Sequence, residues 1–317
     1  MPNKLDQLRA MTTVVADTGD MESIRQFRPT DSTTNPSLIL KASELPAYAR
    51  FVEEAIDWGR KTRAPVGDVT DRIAINFGAE LTTIVPGRVS TEVDADLSFD
   101  TKAMIAKARK IIVLYKERGV GHDRILIKLA STWEGIEAAR VLQGEGIDCN
   151  MTLMFSVAQA AAAADAGAFL VSPFVGRIFD WHVKVGEGPF SGETDPGVKS
   201  VRAIYTHYKT YGYKTVVMGA SFRNIGEIEA LAGCDRLTIS PQLLEALSKD
   251  QGTLTRHLDP AKLGPAPAKL SLDEKAFRWM LNEDAMATEK LSEGIRLFAH
   301  DLRALQSTVQ QRLAAAA

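Results

Sequence analysis

The chain has 317 residues, of which 45% are apolar and 25% are charged, so its composition is that of a globular protein with a large core and does not indicate disorder. Thirty-eight basic residues against forty acidic ones leave a formal net charge of -2, so no overall field favours nucleic acid or an anionic membrane. The only two cysteines, Cys149 and Cys234, are too few for a disulfide framework and fit a reducing compartment.

The sequence gives no sign of export or membrane insertion. Its first ten residues, MPNKLDQLRA, lack the apolar core of a signal peptide. No stretch reaches the roughly 18 apolar residues of a membrane span. We therefore expect a cytoplasmic protein without a membrane or nucleic-acid partner.

Short runs rich in aliphatic and β-branched residues alternate with helical patterns, which is typical of a parallel sheet with crossover helices. We predict strands at 12–17, 31–34, 88–93, 124–129, 149–154, 168–172, 215–220 and 236–240. Eight strands, each followed by a helix, predict a (β/α)8 TIM barrel with its active site at the carboxyl ends of the strands. Because no linker divides the chain, we expect one catalytic domain over residues 1–317.

Apolar residues at helical spacing predict helices beyond the minimal barrel. Two helical segments are expected between the second and third strands, and another helix is expected over 104–115 with Gly119 as its C-cap. The loosest segment, 186–197, is interpreted as a loop between the sixth strand and its helix. After the eighth strand, an apolar stripe predicts a C-terminal helix that packs on the barrel or on a partner subunit: Leu291, Ile295, Phe298, Leu302 and Leu305.

The fourth predicted strand, RILIKL, contains a lysine in an otherwise buried sequence. Strict alternation places Leu126 and Lys128 inside the barrel and the aliphatic residues 125, 127 and 129 against the helices. A buried ammonium group must be paired, reach solvent or lose its proton. The strand alone is compatible with a reactive lysine and with a structural lysine paired to a barrel carboxylate.

Two carboxylates lie in the first and third predicted strands. Asp17 ends the first strand and Glu92 lies in the third. Each has a structural alternative, since Asp17 also suits a cap for the following turn and Glu92 suits a structural ion pair.

Polar residues also lie within the fifth predicted strand and at the end of the second. In the fifth, alternation puts Asn150 and Thr152 inside and the apolar residues Cys149, Met151 and Leu153 outside. Asn35 closes the second strand before Pro36, where a plain helix N-cap is the alternative role.

The loops after the sixth and seventh strands carry two arginines close to helix starts. SPFVGR contains Ser172, Phe174 and Arg177, and GASFRNIGEI contains Ser221 and Arg223. Guanidinium groups near exposed helix amides suit an anion, and late barrel loops commonly bind phosphate. A surface salt bridge is the alternative for each arginine.

Several common catalytic motifs are missing from the sequence. The five histidines show neither HxH nor HExxH spacing, so no metal site is predicted, and neither GxGxxG nor GxxxxGK[ST] occurs. No GxSxG elbow indicates a serine nucleophile. The buried lysine is thus the strongest remaining candidate for covalent chemistry, as a free amine that attacks a ketone without a metal or cofactor.

Five motifs, in this order and each at a predicted strand end, give the chain a family resemblance: TTNPSLIL, ILIKLASTWEGI, NMTLMFS, SPFVGRI and MGASFRNIGEI. Over most of its length the chain resembles transaldolase. The resemblance implies a metal-independent homodimer of the pentose phosphate pathway that moves a dihydroxyacetone unit from sedoheptulose 7-phosphate to glyceraldehyde 3-phosphate, giving erythrose 4-phosphate and fructose 6-phosphate. The chain length favours full-length transaldolases over the smaller fructose 6-phosphate aldolases.

The resemblance also implies roles for the polar residues at the catalytic end. Lys128 forms the Schiff base with the ketose phosphate, and Asp17 is the acid/base of the aldol step. Glu92 transfers protons through a bound water that Thr152 positions.

For the rest of the substrate, the resemblance implies that Asn35, Asn150 and Ser172 hold the hydroxyls of the dihydroxyacetone unit. The phosphate is expected to bind residues Arg177, Ser221 and Arg223. Phe174 is expected to keep the pocket dry, although an ordinary core phenylalanine is equally compatible with its position.

Two other functions fit the same residues. A simple aldolase would release dihydroxyacetone to water instead of an aldehyde acceptor. A non-catalytic barrel would bind sugar phosphates reversibly, with Lys128 merely paired to Glu92.

Overall fold

A computed structural model describes residues 2–315, and in it eight parallel strands close into a barrel. Each strand pairs with the next, and the eighth pairs with the first. The predicted (β/α)8 barrel is confirmed, with every strand end within two residues of its predicted position. The strands are Thr13–Asp17 (β1), Asp31–Thr33 (β2), Val89–Glu92 (β3), Ile125–Ala130 (β4), Cys149–Met154 (β5), Leu170–Pro173 (β6), Val216–Gly219 (β7) and Arg236–Ile239 (β8).

The helices of the described residues surround this barrel, and several exceed the one-per-strand pattern. They are Lys4–Arg9 (α1), Met21–Phe27 (α2), Pro36–Ser43 (α3), Ala49–Thr62 (α4), Val66–Ile84 (α5), Thr101–Glu117 (α6), Trp133–Gly144 (α7), Val157–Asp165 (α8), Val175–Lys184 (α9), Pro196–Tyr211 (α10), Ile225–Ala230 (α11), Pro241–Lys249 (α12), Glu274–Glu283 (α13) and Ala285–Ala314 (α14).

Two predicted connections differ from the structure. Three helices rather than two separate β2 from β3, because a 3₁₀ turn at Pro46–Tyr48 and the left-handed Arg63 (φ 54°) divide the segment. The 186–197 loop joins α9 to α10 instead of joining β6 to its helix. The predicted helix over 104–115 lies within α6, and Gly119 adopts a left-handed φ of 75° two residues after the helix ends.

The inner and outer faces of β4 are as predicted. Leu126 meets Val15, Leu170 and Met218 in a cluster inside the barrel. The outer residues of β4 belong to the main core between the barrel and the helices. Alternation then directs Lys128, two residues after Leu126, into the barrel near the carboxyl end of the strand.

The predicted outward position of Leu153 is wrong. The pairing of β5 with β6 is irregular between Met151 and Met154, and Leu153 has a left-handed φ of 52°. A bulge interrupts the two-residue alternation on which the prediction rested. Leu153 therefore lies in a cluster at the barrel mouth together with Phe174 and Phe298.

Helix α14 packs on the barrel of its own chain. It contacts α3, α5, α9 and β5, and the stripe residues Leu291, Ile295, Phe298 and Leu305 are buried. Each such side chain contributes about 2 kcal/mol by leaving water. Of the two surfaces expected for the stripe, the barrel and a partner subunit, the structure shows packing on the barrel. None of the helices within residues 2–315 has the length and apolar character needed to cross a membrane.

Candidate active site

Lys128 lies at the centre of a group of polar side chains at the carboxyl end of the barrel. The parallel register pairs it with Glu92 on β3. Its Nζ lies 3.3 Å from Glu92 Oε2 and donates a hydrogen bond of 3.1 Å to the carbonyl oxygen of Thr34. Only 6% of its side chain is exposed. Of the possibilities for a buried ammonium group, the free protein thus uses pairing.

Both carboxyls predicted for this site are close enough to Lys128 to interact with its charge. Burial raises the pKa of Asp17 and of Glu92, and Lys128 offsets part of the rise in each. Asp17 accepts a hydrogen bond of 3.1 Å from the Thr33 hydroxyl. The alternative role of Asp17 as a cap is wrong, because Asp20 caps α2.

This arrangement places the Lys128 amine beside two carboxyls whose pKa values burial raises. A dry environment disfavours separated charges, and both acids have raised affinity for protons. Transfer from Lys128 to Glu92 or Asp17 produces a neutral amine beside a neutral acid. The group can therefore supply a nucleophilic amine and an acid from one shared proton.

Two buried oxygen atoms beside Lys128 are available for further hydrogen bonds. Among residues 2–315, Glu92 Oε2 and Thr152 Oγ1 have no hydrogen-bond partner, since the contact of Glu92 with Lys128 does not meet hydrogen-bond geometry. Buried polar atoms are rarely left unpaired unless a ligand or water completes them. Both atoms can therefore bind a hydroxyl group or water.

The two asparagines occupy different layers of the site. Asn35 lines the cavity above Lys128, and its Oδ1 accepts the N–H of Leu38, so its helix-capping role is real. Its Nδ2 donates no hydrogen bond to another described residue and remains available to a ligand. Asn150 is fully buried, donates to Ser90 Oγ and accepts 2.5 Å from Ser172 Oγ, so it positions Ser172 at the cavity wall.

Arg177 carries a positive charge that no acidic group in the described part of the chain neutralises by direct contact. The guanidinium carbon lies 4.9 Å from the ring centre of Phe174 and 5.3 Å from that of Phe298. Burial and the nearby Arg223 lower the pKa of Arg177. A guanidinium group held between two aromatic rings with unused donors is suited to an anion.

The second predicted arginine lies near Arg177 but has a partner. Arg223 makes a two-pronged contact with Asp180 on α9, with Nη2 2.6 Å from Oδ2. It is 38% exposed, and its Nη1 also donates to the Ser221 carbonyl. Ser221 adopts a left-handed φ of 61°, which is uncommon outside glycine and fixes the shape of this loop.

The sequence-predicted residues divide into two sets in the structure. The cavity wall includes Asp17, Asn35, Lys128, Thr152, Ser172, Phe174, Arg177 and Ser221. Glu92, Asn150 and Arg223 stand behind this wall and contact its members. The wall also contains residues that the sequence analysis did not place there: Thr33, Met218, Ala220, Thr238 and Phe298.

The additional wall residues differ in how readily the sequence pattern predicts them. Thr33, Met218, Ala220 and Thr238 lie in or beside predicted strands, so the alternation of those strands would have found them. Phe298 lies on α14, and its membership in the apolar stripe was evident. Nothing local indicated that this stripe closes the mouth of the barrel.

Known proteins match this chain along its whole length. The family model for transaldolase/fructose-6-phosphate aldolase matches residues 14–309. A transaldolase of Agrobacterium fabrum is 65% identical over 321 residues, covering 100% of both chains. Transaldolases of Marinomonas sp. and Aeromonas salmonicida are 60% and 58% identical, each covering 99% of this chain and 100% of the relative.

The matches confirm the family that the five sequence motifs indicated, and the closed barrel has the fold expected from that resemblance. These relatives are matched over their full length, so no part of the barrel lies outside the match. The chain belongs to the transaldolase/fructose-6-phosphate aldolase family of enzymes.

Proposed function

We propose that this protein is a metal-independent transaldolase of the pentose phosphate pathway. It transfers a dihydroxyacetone unit from sedoheptulose 7-phosphate to glyceraldehyde 3-phosphate and produces erythrose 4-phosphate and fructose 6-phosphate. The observation that carries the proposal is the burial of Lys128 beside Asp17 and Glu92, in a cavity whose wall also holds the unneutralised Arg177.

The reaction begins with the neutral Lys128 amine. Its nitrogen attacks the ketone carbon of the donor, and loss of water leaves a protonated imine. Glu92 exchanges the protons of this step through a water held with Thr152, a role supported by the unpaired oxygens of both side chains. The imine then withdraws electrons from the adjacent carbon-carbon bond.

Asp17 carries the proton of the aldol step. It removes the proton from the hydroxyl next to the breaking bond, the electron pair moves toward the imine, and the aldose leaves. The three-carbon enamine remains attached to Lys128 and attacks the aldehyde of the acceptor, whose new hydroxyl takes the proton back from Asp17. Water then hydrolyses the imine. The hydrogen bond from Thr33 supports this role by orienting the carboxyl.

The remaining residues bind the substrate. Asn35 and Ser172 hold the hydroxyls of the dihydroxyacetone unit, for which amide and hydroxyl groups offer both donors and acceptors. Asn150, which was expected to bind these hydroxyls directly, lies behind the wall and positions Ser172 instead. Arg177, Ser221 and Arg223 hold the phosphate. Phe174 limits water entry while its ring stacks on Arg177.

We also propose that residues 1–317 act as one catalytic domain in a cytoplasmic homodimer. The homodimer is supported by the family resemblance. The apolar stripe of α14 gives it no support, because most of that stripe is buried within the chain. Sedimentation equilibrium measures the subunit number directly.

Borohydride trapping tests the central step. The protein is incubated with fructose 6-phosphate and borohydride, digested, and mapped by mass spectrometry. We expect a reduced three-carbon adduct at Lys128 that forms equally well after treatment with a chelator, and no adduct in a Lys128→Met variant. A modified lysine elsewhere with Lys128 untouched contradicts the proposal.

A second measurement separates transaldolase from aldolase activity. Product formation is followed with fructose 6-phosphate in the presence and absence of an aldehyde acceptor. We expect turnover to require the acceptor. Rapid release of free dihydroxyacetone without an acceptor identifies the simple aldolase instead.

A further inference from the structure

Ser90 on β3 is the inner end of a chain of hydrogen bonds that reaches the cavity wall. Asn150 Nδ2 donates to Ser90 Oγ at 3.2 Å, and Ser172 Oγ donates to Asn150 Oδ1 at 2.5 Å. Ser90 is 2% exposed and does not line the cavity, whereas Ser172 does. Any influence of the Ser90 side chain on a substrate therefore passes through Asn150 and Ser172.

The two distances indicate the orientation of the Asn150 amide. A separation of 2.5 Å suits a hydrogen bond between two oxygen atoms, and 3.2 Å suits one in which a nitrogen donates. The reverse orientation would need a long hydrogen bond from the Ser90 hydroxyl and a very short one from the amide nitrogen. Asn150 thus directs its oxygen at Ser172 and its nitrogen at Ser90.

The surroundings of this contact inside the barrel are apolar. Ser90 is the register partner of Leu126, and Asn150 is that of Leu170. Both leucines belong to the apolar cluster inside the barrel. Asn150 Nδ2 has no second hydrogen-bond partner among residues 2–315. Because a buried donor without an acceptor is costly, the Ser90 hydroxyl holds the amide in this orientation.

The orientation of the amide decides what Ser172 can offer to a ligand. A serine hydroxyl has one hydrogen to donate and two lone pairs that accept. The hydrogen of Ser172 is used by Asn150 Oδ1, so only lone pairs of its oxygen are left for the cavity. Ser172 therefore acts as an acceptor and favours a ligand group that donates a hydrogen bond, such as a hydroxyl.

On the Lys128 side, Ser90 makes contact through its backbone alone. The Ser90 carbonyl accepts from the N–H and the hydroxyl of Thr34, at 3.1 and 3.0 Å. The carbonyl of Thr34 in turn accepts from Lys128 Nζ. A change of the Ser90 side chain leaves these contacts in place, so its effect is confined to the Ser172 side of the cavity.

We propose that Ser90 is a positioning residue that makes the site specific for a hydroxyl on C1 of the ketose donor. Through Asn150 it holds Ser172 as an acceptor, and the C1 hydroxyl donates to Ser172. In the three-carbon unit, this hydroxyl is the one farther from the bond that breaks. Ser172 is correspondingly remote from the acid/base Asp17, since β7 and β8 lie between their strands. The proposal rests on the proposed transaldolase function.

Kinetics with two donors test this inference: fructose 6-phosphate, and 1-deoxyfructose 6-phosphate, which lacks the C1 hydroxyl. With erythrose 4-phosphate as acceptor, both donors release glyceraldehyde 3-phosphate, so one coupled assay gives both kcat/KM values. We expect Ser90→Ala to lower kcat/KM for fructose 6-phosphate by about tenfold, the effect of one hydrogen bond, and to leave the value for the deoxy donor within about twofold. The ratio of the two values should therefore fall.

Two further variants control for the loss of a buried hydroxyl. Ser32→Ala removes a buried hydroxyl from the neighbouring strand β2, and Ser32 Oγ has no hydrogen-bond partner in the described part of the chain. We expect unchanged kcat/KM for both donors. Ser90→Cys keeps the shape of serine but offers only a weak acceptor, so its ratio should fall by an intermediate amount. It also provides the test if urea titration shows that Ser90→Ala folds poorly.

A double variant shows whether Ser90 acts through Ser172, and it needs only fructose 6-phosphate. Ser172→Ala removes the acceptor itself. Adding Ser90→Ala should then lower kcat/KM by no more than about twofold, because the two changes remove the same contact. Losses that multiply would show that Ser90 acts independently of Ser172 and would overturn the inference.

The outcomes separate this inference from the proposed function. Equal losses with both donors in Ser90→Ala show general damage to the site and overturn the positioning role. An unchanged ratio overturns it as well. Either result leaves the proposed function intact, provided that the parent protein transfers the three-carbon unit from fructose 6-phosphate. Absence of that transfer in the parent protein counts against the proposed function itself.

Discussion

The two ends of the candidate site manage charge in opposite ways. At the Lys128 end, an ammonium group lies between carboxyls of its own chain, and every charge has a partner within reach. At the Arg177 end, the guanidinium group lies between two phenyl rings and makes no ion pair with the described residues. The first end can redistribute its protons internally, whereas the second requires a ligand to supply the compensating charge.

The two ends also differ in the elements that build them. Strands β1, β3 and β4 carry Asp17, Glu92 and Lys128, so their spacing follows from barrel register. The loops after β6 and β7, with α14, form the other end. Groups that react with one another gain most from rigid strands, while loops can adapt to substrates of different length.

Replacing Lys128 has the largest expected effect. It tests whether the Lys128 end of the site takes part in the reaction or only stabilises the fold. Lys128→Met removes the nucleophile, and we expect transfer activity to fall by at least about 10⁴-fold. A coupled assay of fructose 6-phosphate formation measures it. Lys102→Met, which alters an exposed lysine, serves as the control. Retained activity in Lys128→Met would show that Lys128 has only a structural role.

Replacing Arg177 should affect only the ligand end. We expect Arg177→Leu to lower kcat/KM for fructose 6-phosphate by about 100-fold, because several charge-assisted hydrogen bonds to phosphate are lost. Slow turnover of unphosphorylated fructose should be unchanged. Arg177→Lys retains the charge without the planar donors. Its kcat/KM for fructose 6-phosphate should therefore lie between that of the parent protein and that of Arg177→Leu. Equal losses for both sugars would show that Arg177 acts on the chemical step.

A change on α14 should have a moderate effect on stability and on the ligand end. A Cβ atom added at Gly294 would lie 2.6 Å from Leu153 Cδ2 and 3.1 Å from Arg177 Nη1. We expect Gly294→Ala to lower the free energy of unfolding by about 1–3 kcal/mol through overpacking and to raise KM for phosphorylated substrates. Urea titration and steady-state kinetics measure the two effects.

The control for Gly294→Ala is Gly144→Ala near the end of α7. An added Cβ there meets no atom within 4 Å, so we expect no loss of stability. A loss confined to Gly294→Ala assigns the effect to the contact of α14 with the site. Equal losses in both variants would assign it to helix geometry.

The smallest expected effect is on the pH dependence of stability and concerns the first end. Burial raises the pKa of Glu92 above its unfolded value of 4.5, so the folded protein binds its proton more tightly. The stabilisation from that proton is complete below pH 4.5 and is lost as pH rises through the folded pKa. Glu92→Gln should therefore lose less stability over this range than the parent, as measured by urea titration. Parallel curves would show that Glu92 does not carry a raised pKa.

Sequence patterns were most informative where one strand determines the outcome. Lys128 was placed inside the barrel by the alternation of β4, and that alternation holds because β4 pairs regularly with both neighbours. The same rule was wrong for Leu153, because a bulge in β5 changes the direction of the side chain. A bulge depends on the neighbouring strand and leaves no reliable mark in its own residues.

Contacts between distant segments were less accessible to sequence. The stripe on α14 predicted an amphipathic helix but not the surface that covers it, so the place of Phe298 beside Arg177 was not foreseen.

The position of α14 has a consequence for synthesis. Phe298 and Gly294 lie on α14, which follows all eight strands in the chain, so the strands can pair during synthesis while the mouth of the barrel is still uncovered. A nascent chain should therefore hold Lys128 in place yet have no complete binding pocket. Activity should therefore appear only once α14 has been synthesised and has packed on the barrel.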